Sequence, residues 1–500
     1  MTSTQLNQVY FNAKQLKLPL SFEVMIPFDS EARTFDEVFR RINLKKYLVQ
    51  ENQTGRIPYN PVNMLKLILF CHMEKITSLR DMAKAARNDI RLMWLTDELK
   101  PAHQTIKRFI DEKLSVSIEE IFILINNYII EKEQIDIKRL YIDGTKIEAN
   151  ANKYTFIWKA SIQKFQIKLD KKITKVLNRL NKRYEDQGLF FEMNETYEVD
   201  YLERIKVFLE KEIEREGIRF VSGKGNRKEA SQRDYEDIAA YLEKLKEYIN
   251  YLEIIGPDRN SCARTDHSAT FMHMKEDHMR NAQLKPGYNV QIGVSDEYIL
   301  HVDIFQERND YKTFIPFMEG FLKAYGYQPK YPVADAGYGG LSNFRYLKKN
   351  KLELYQKYNM YEKDTSDKKR MKDPKIAMNL KKDEDGNYIW PDGGTLHYLW
   401  RSNKGNDVYQ IPNSDKRMEI NEELLEYQKE VRKNLKSELG IELRVERSIQ
   451  VEGAFAVIKE AFKMRRFRRR GTENVKLEFI LLAIGYNLAK LHNKKYRSEA

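Results

Sequence analysis

Residues 141–154 read YIDGTKIEANANKY. An apolar run, Leu140-Tyr141-Ile142, meets an aspartate and a glycine, and the chain then turns polar. Two readings are open here. Asp-Gly is a strong two-residue hairpin signal, so LYIDGTKIE reads as two short strands around a turn. In the other reading, Asp143 closes a strand and presents its carboxylate beyond the strand end, where ligands of open α/β sheets gather.

A second stretch has the same form. Tyr331-Pro332-Val333-Ala334 leads into Asp335, followed by Ala-Gly-Tyr-Gly-Gly, which breaks the strand and opens the backbone around a ligand. Between the two, GYNVQIGV and YILHVDIF flank Ser295-Asp296-Glu297 as a hairpin. A helix over 313–326, a helix at SNFRYLKKN, an apolar strand over 352–358 and a helical end complete the pattern. With the insertions removed, the order is strand, strand, strand, helix, strand, helix, strand, helix. That order predicts a mixed α/β sheet of the ribonuclease-H type flanked by helices, with the first and fourth strands adjacent. Asp143 and Asp335 then face one another. Their repulsion is costly unless cations neutralise it, and hard oxygen ligands suit Mg²⁺ or Mn²⁺.

A third acid comes from SIQVEGAFAVIKEAFKMRR. Ile449, Phe455, Ile458 and Phe462 form an apolar side at helical spacing, and Glu452, Lys459, Lys463 and Arg466 line a polar stripe. The stripe reads either as a solvated face or as a metal-binding glutamate heading a row of phosphate contacts. Three carboxylates suit phosphoryl transfer at a phosphodiester, where two cations serve the attacking and leaving oxygens.

The flanking regions fix the organisation. Residues 1–132 are expected to form a helical N-terminal domain. Asn60-Pro61 and Ser78 cap its helices, and PAHQTIKRFIDEKL carries Lys107 and Arg108 as candidate DNA contacts. Residues 160–253 show three-four spacing at Ile162, Phe165, Leu169, Ile173, Val176 and Leu180, and again near 202–209 and 238–252. They predict a helical arm inserted into the catalytic core of 133–159 and 254–359, with an exposed loop at 221–233. An irregular insertion with a hairpin at LHYLWRSNKGNDVYQI spans 360–420, and helices of 421–500 complete the core.

Lys and Arg number 87 against 74 Asp and Glu, a net charge of +13, with six basic side chains packed into KMRRFRRR at 463–470. Such a cluster is either a solvated helix face or a polyanion contact, of which nucleic acid is the commonest. Arg468 and Arg469 join the candidate DNA contacts on this ground. Two distant cysteines exclude a disulfide framework or a four-cysteine zinc site. Cys262 with His267, His273 and His278 is too loosely spaced for zinc, and Asp266 reads as a loop or near-site residue. Trp158 is open to a core or a base-stacking role. No secretory signal or membrane span is read, so a cytoplasmic, nucleoid-associated location is expected.

Several of these stretches, in order, resemble one family. YIDGTKIEANANKYTFIWK, RTDHSATFMHMKEDHMRNAQLKPGYNVQI, VADAGYGG and RSIQVEGAFAVIKEAFKMRRFRRRG are similar to bacterial insertion-sequence transposases of the DDE type, and GRIPYNPVNMLKLILFCHMEKITSLRDMAKAARNDIRLMWLTDELKPAHQTIKRF resembles their helical N-terminal domain. The resemblance implies that Asp143, Asp335 and Glu452 are the catalytic, metal-binding acids, using two Mg²⁺ or Mn²⁺ ions. It implies binding of double-stranded DNA, both terminal inverted repeats and target, strand cleavage, joining of the 3′-hydroxyl, and a homodimer that pairs two ends. Lys459 matches the lysine of the Y-x2-R-x3-E-x6-K signature. The chain departs from the signature at Val445 and Ser448, with Arg447 one place from the arginine position. A non-catalytic DNA-binding protein descended from such a transposase is the alternative.

Overall fold

The structure, a computed structural model, describes residues 22–44, 46–48, 58–223, 227–274 and 283–497. Its strands in chain order are β1 (Arg139–Glu148), β2 (Phe156–Trp158), β3 (Ser261–Ala263), β4 (Thr270–His273), β5 (Leu284–Ser295), β6 (Tyr298–Phe305) and β7 (Tyr331–Ala334), followed by short strands after residue 380. β1 runs straight through Asp143-Gly144. Asp143 pairs with Ile292 and Gly144 with Gln291 in an antiparallel ladder, so the hairpin reading fails and the strand does not end at Asp143. What ends there is the parallel partner, because the β1–β7 ladder stops at Ile142 and Ala334.

β4 and β6 share one edge of β5, and β1 takes the other, which gives the order β6, β5, β1, β7 with β4 extending the first edge. This is the expected mixed sheet of the ribonuclease-H-like fold. The β5–β6 connection is tighter than the three residues expected. Ser295 pairs with Tyr298, and Asp296 and Glu297, at φ 48° and 68°, make a two-residue turn whose twist suits a hairpin.

The strand expected at 352–358 is absent from the sheet, and Pro332 explains why. Glu353 N–H reaches Lys330 O at 3.0 Å, which starts a ladder. The next donor on that edge of β7 would be residue 332, and proline has none. The Gln356 side chain donates to Pro332 O instead, and the segment stays extended and largely buried without pairing beyond a single bridge from Tyr358 to Gly339.

In the N-terminal region, Asn60 caps Pro61–Met73 by accepting from Val62 N–H at 2.9 Å. Ser78 precedes Leu79–Asn88 without a side-chain cap bond. The third expected helix starts at His103 and passes through a π-helical turn, Ile110–Leu114, into Ser115–Glu133. These helices and the sheet share one continuous core, bridged by the C-terminal helix Thr472–Arg497, which packs on both.

The arm has a core of its own. Helices Lys159–Tyr184, Val199–Arg215 and Ala230–Ile255 bury Leu169, Ile173, Leu180, Leu209 and Leu242 among themselves. Phe165, expected on the apolar side, is half exposed, and the loop expected to reach 233 ends where the helix starts at Ala230. β2 and β3 pair antiparallel from Phe156↔Ala263 to Trp158↔Ser261 and form the neck through which the chain leaves and returns. Beyond residue 380, the hairpin His397–Arg401 with Asp407–Gln410 is present, and Arg417–Ile420 adds a third strand. Among the described residues no helix is long and apolar enough to cross a membrane.

Candidate active site

Asp143 and Asp335 are each the residue after the last parallel pair, on neighbouring strands. Asp143 Oδ1 accepts from Gly144 N–H at 2.8 Å and Oδ2 from Arg447 Nη1 at 3.2 Å. Asp335 Oδ1 accepts from Gly337 N–H at 2.8 Å, which bends the chain sharply after β7. Burial pushes the Asp143 carboxyl up to about 6; Arg447 opposes the rise, while the charges of Asp335 and Asp310 add to it.

Asp310, in the turn before helix Phe314–Tyr325, is a neighbour that sequence reading missed. Its Oδ1 accepts from Asn289 Nδ2 at 2.7 Å and Gln291 Nε2 at 3.0 Å. Tyr338, fully buried, donates to Gln291 Oε1. Burial drives the Tyr338 hydroxyl well above its usual range, and the charges of Asp310, Asp143 and Asp335 drive it further. The available signal was in β5. Asn289 and Gln291 sit two apart on a strand that is otherwise apolar around them, and both are buried, so polar partners had to meet them on that face.

Glu452 is not part of this pair. It lies on helix Glu438–Ala456, the helix of Arg447, but is exposed, with Oε1 accepting from Ser448 Oγ at 3.0 Å. Among the described residues, no three Asp, Glu, His or Cys side chains converge closely enough to hold a metal ion. Lys459 does reach the site: with Gly144, Lys146, Arg308, Asp310 and Gly337 it lines a cleft of about 410 Å³.

The expected polar stripe breaks after Lys459. The helix passes into a π-helical turn at Val457–Ala461 and stops, and Lys463 adopts a left-handed φ of 55°. Arg466 lies beyond it, beside β1, donating to Ala149 O at 3.2 Å and Ala151 O at 3.0 Å. Ile449, expected in the core, is exposed, and Val451 and Ala454 are buried in its place. The basic run also serves as a fastener. Arg468 donates to Thr77 O at 2.6 Å, and Arg469 pairs with Asp111 at 2.5 Å. Lys107 bonds the same Asp111 at 2.8 Å, and Arg108 stands 4.0 Å from Glu112. Burial would raise the Asp111 carboxyl, but hydrogen bonds from Lys107 and Arg469 outweigh it and hold it below its usual value. Lys463 is exposed.

The remaining candidates fall outside the carboxylate pair. Asp266 is buried and accepts from Tyr288 Oη at 2.9 Å and Gly471 N–H at 3.2 Å. Trp158 is partly buried at the neck, 6.0 Å from Phe271 between ring centroids, and packs on the main core. His278 lies outside the described residues.

Residues 20–112 match the family model described as "Transposase domain (DUF772)", and residues 408–492 match the one described as "Transposase DDE domain". No curated protein and no solved structure matches the chain. One match lies over the N-terminal helices and the other over the helix that carries Arg447 and Glu452, and together they indicate an insertion-sequence transposase of the DDE type.

Proposed function

We propose that this transposase binds the terminal inverted repeats of its element, cuts the strand ends and joins the freed 3′-hydroxyl to target DNA, with Asp143, Asp335 and Glu452 as its catalytic carboxylates. The observation that carries the reading is the placement of Asp143 and Asp335 side by side at the ends of the parallel β1–β7 ladder. Their chemistry fits a hard divalent cation. Both are oxygen donors, and burial, with the charges of Asp335 and Asp310 added, disfavours the ionised form of Asp143, which a cation would favour. Mg²⁺ or Mn²⁺, as two ions, would be held by the three acids and would stabilise charge on the attacking and leaving oxygens.

The chain's own side chains supply the rest. Glu452 gives up its Ser448 hydrogen bond to reach the pair. Lys459, in the cleft, and Lys463, exposed beyond the helix, hold phosphates of the bound strand, and contacts of this kind position without reading sequence. Lys107, Arg108, Arg466, Arg468 and Arg469 extend this basic surface, several of them while fastening the N-terminal helices. A homodimer on double-stranded DNA, in the nucleoid, brings two ends together.

The test is Asp335→Asn, assayed on a terminal-repeat duplex with Mg²⁺. Binding kept and cleavage lost supports the enzyme. A wild type that binds the repeat and never cuts is a DNA-binding protein only. One that cuts without joining is a nuclease.

A further inference from the structure

We propose that Asp310 is a further cation-binding carboxylate of this site, an inference that rests on the cation site proposed at Asp143 and Asp335. Asp310 is held on two sides. Its Oδ1 accepts from Asn289 and Gln291 at 2.7 and 3.0 Å, and its backbone carbonyl accepts from Thr313 N–H at 3.0 Å and Thr313 Oγ1 at 2.7 Å. The other carboxylate oxygen, Oδ2, lies beside Gly337, two residues after Asp335. A Cβ placed on Gly337 would lie 3.0 Å from Asp335 Oδ1 and 3.5 Å from Asp310 Oδ2, so both oxygens border the space beside Gly337 and a methyl there would press on Asp335 Oδ1.

The glycine after Asp143 tells the same story from the opposite side. A Cβ on Gly144 would collide with the Gln291 amide and come within 3.0 Å of Asp310 Oδ1. Each aspartate is thus followed, at one residue or two, by a glycine beside Asp310: Gly144 leaves room for Asp310 and the Gln291 amide, and Gly337 borders Asp310 Oδ2 and Asp335 Oδ1. Placing a third carboxylate against two others is unfavourable without positive charge. Lys146, Arg308 and Lys459 line the same cleft, which suits an anionic substrate approaching a cation held there.

Mn²⁺ titration of the full chain, followed by the electron paramagnetic resonance of free Mn²⁺, tests it on wild type, Asp310→Asn, Asp335→Asn and Gly337→Ala. Asparagine at 310 keeps the oxygen that Asn289 and Gln291 bond, so Asp310→Asn removes charge and little else. Its Mn²⁺ binding is expected to weaken by about tenfold or more. Gly337→Ala, which retains every charge and fills the space that both oxygens border, is expected to weaken binding as well. Asp335→Asn weakened with Asp310→Asn unchanged overturns the role of Asp310 alone. If Asp335→Asn also binds like wild type, the cation site itself is wrong. Should Asp310→Asn not fold, Gly337→Ala decides, and unchanged Mn²⁺ affinity in it overturns the inference.

Discussion

Arg447 Nη1 meets Asp143 Oδ2 at 3.2 Å, a pairing of helix and strand between residues 304 apart in the chain. Both side chains are mostly buried, at 17% and 20% exposure. The guanidinium therefore supplies positive charge at the oxygen that a divalent cation would approach. Arg447→Gln removes a competitor, and Mn²⁺ affinity at pH 8 is expected to rise several-fold by the coulombic argument. The same change leaves Asp143 without its partner and should cost about 1–3 kcal/mol of stability in metal-free protein. Mn²⁺ titration and thermal melts read the two effects separately. Unchanged or weakened Mn²⁺ binding would show that the arginine does not compete.

The carboxyl of Asp143 sets a pH dependence. Its folded pKa is about 6 against an ordinary 3.8, so the folded state favours the protonated form. Stability from this group is present below about pH 4 and is lost as pH rises through 6, where ionisation costs on the order of 3 kcal/mol. Asp143→Asn carries no charge to lose. Metal-free Asp143→Asn should melt higher than wild type at pH 8, with the gap narrowing through pH 6 and closing near pH 4. A gap that does not change with pH would remove the basis for this assignment.

Gly144→Ala tests how closely the network behind Asp143 is packed. The added methyl overlaps the Gln291 amide, which itself bonds Tyr338, Asn289 and Asp310. Crowding of this kind typically costs about 1–3 kcal/mol. The expected result is a modest fall in melting temperature with a much larger loss of DNA cleavage. Wild-type cleavage would mean that the position of Gln291 and Asp310 is immaterial.

The sheet was legible because its signals are local. Apolar runs before Asp143 and Asp335 marked the start of β1 and the whole of β7, although β1 runs on past Asp143 to Glu148, and their adjacency followed from strand order. The arm was legible for the same reason, through the spacing of Leu169, Ile173 and Leu180. The failures are non-local. Pro332 removed the donor that residues 352–358 needed, and Lys463 broke the stripe behind Glu452 through a backbone conformation that no periodicity reports. Asp310 went unread because its importance depends on two amides from β5, nineteen and twenty-one residues away. Only the buried polar alternation of Asn289 and Gln291 hinted at it.

Arg469 and Asp111 offer a measure of how the N-terminal helices are fastened. Their side chains are 20% and 31% exposed, and Lys107 shares the carboxylate. A double-mutant cycle with Arg469→Gln and Asp111→Asn should give a coupling of about 1 kcal/mol at low salt, falling as ionic strength rises. Additive effects would show that this pair does not fasten the N-terminal helices.

The arm's separate core makes it removable on paper. Its three helices pack on one another, and the neck pairs Trp158 with Ser261 while Lys159 N–H reaches Asn260 O at 3.0 Å, so the two ends of the excursion already lie together. Replacing residues 160–259 by a short glycine-rich link would leave the β2–β3 pairing and the carboxylate pair in place. It deletes Ile162 and Ile255 and uncovers Cys262, which they pack against, so a moderate loss of stability is expected. Mn²⁺ binding should persist in the shortened chain, because every proposed acid of the site lies on β1, just after β7, in the turn before Phe314–Tyr325 or on the helix of Glu452. Loss of terminal-repeat binding or of dimers by light scattering would then locate that role in the arm. Collapse of Mn²⁺ binding in a chain that still folds would show that the arm shapes the site itself.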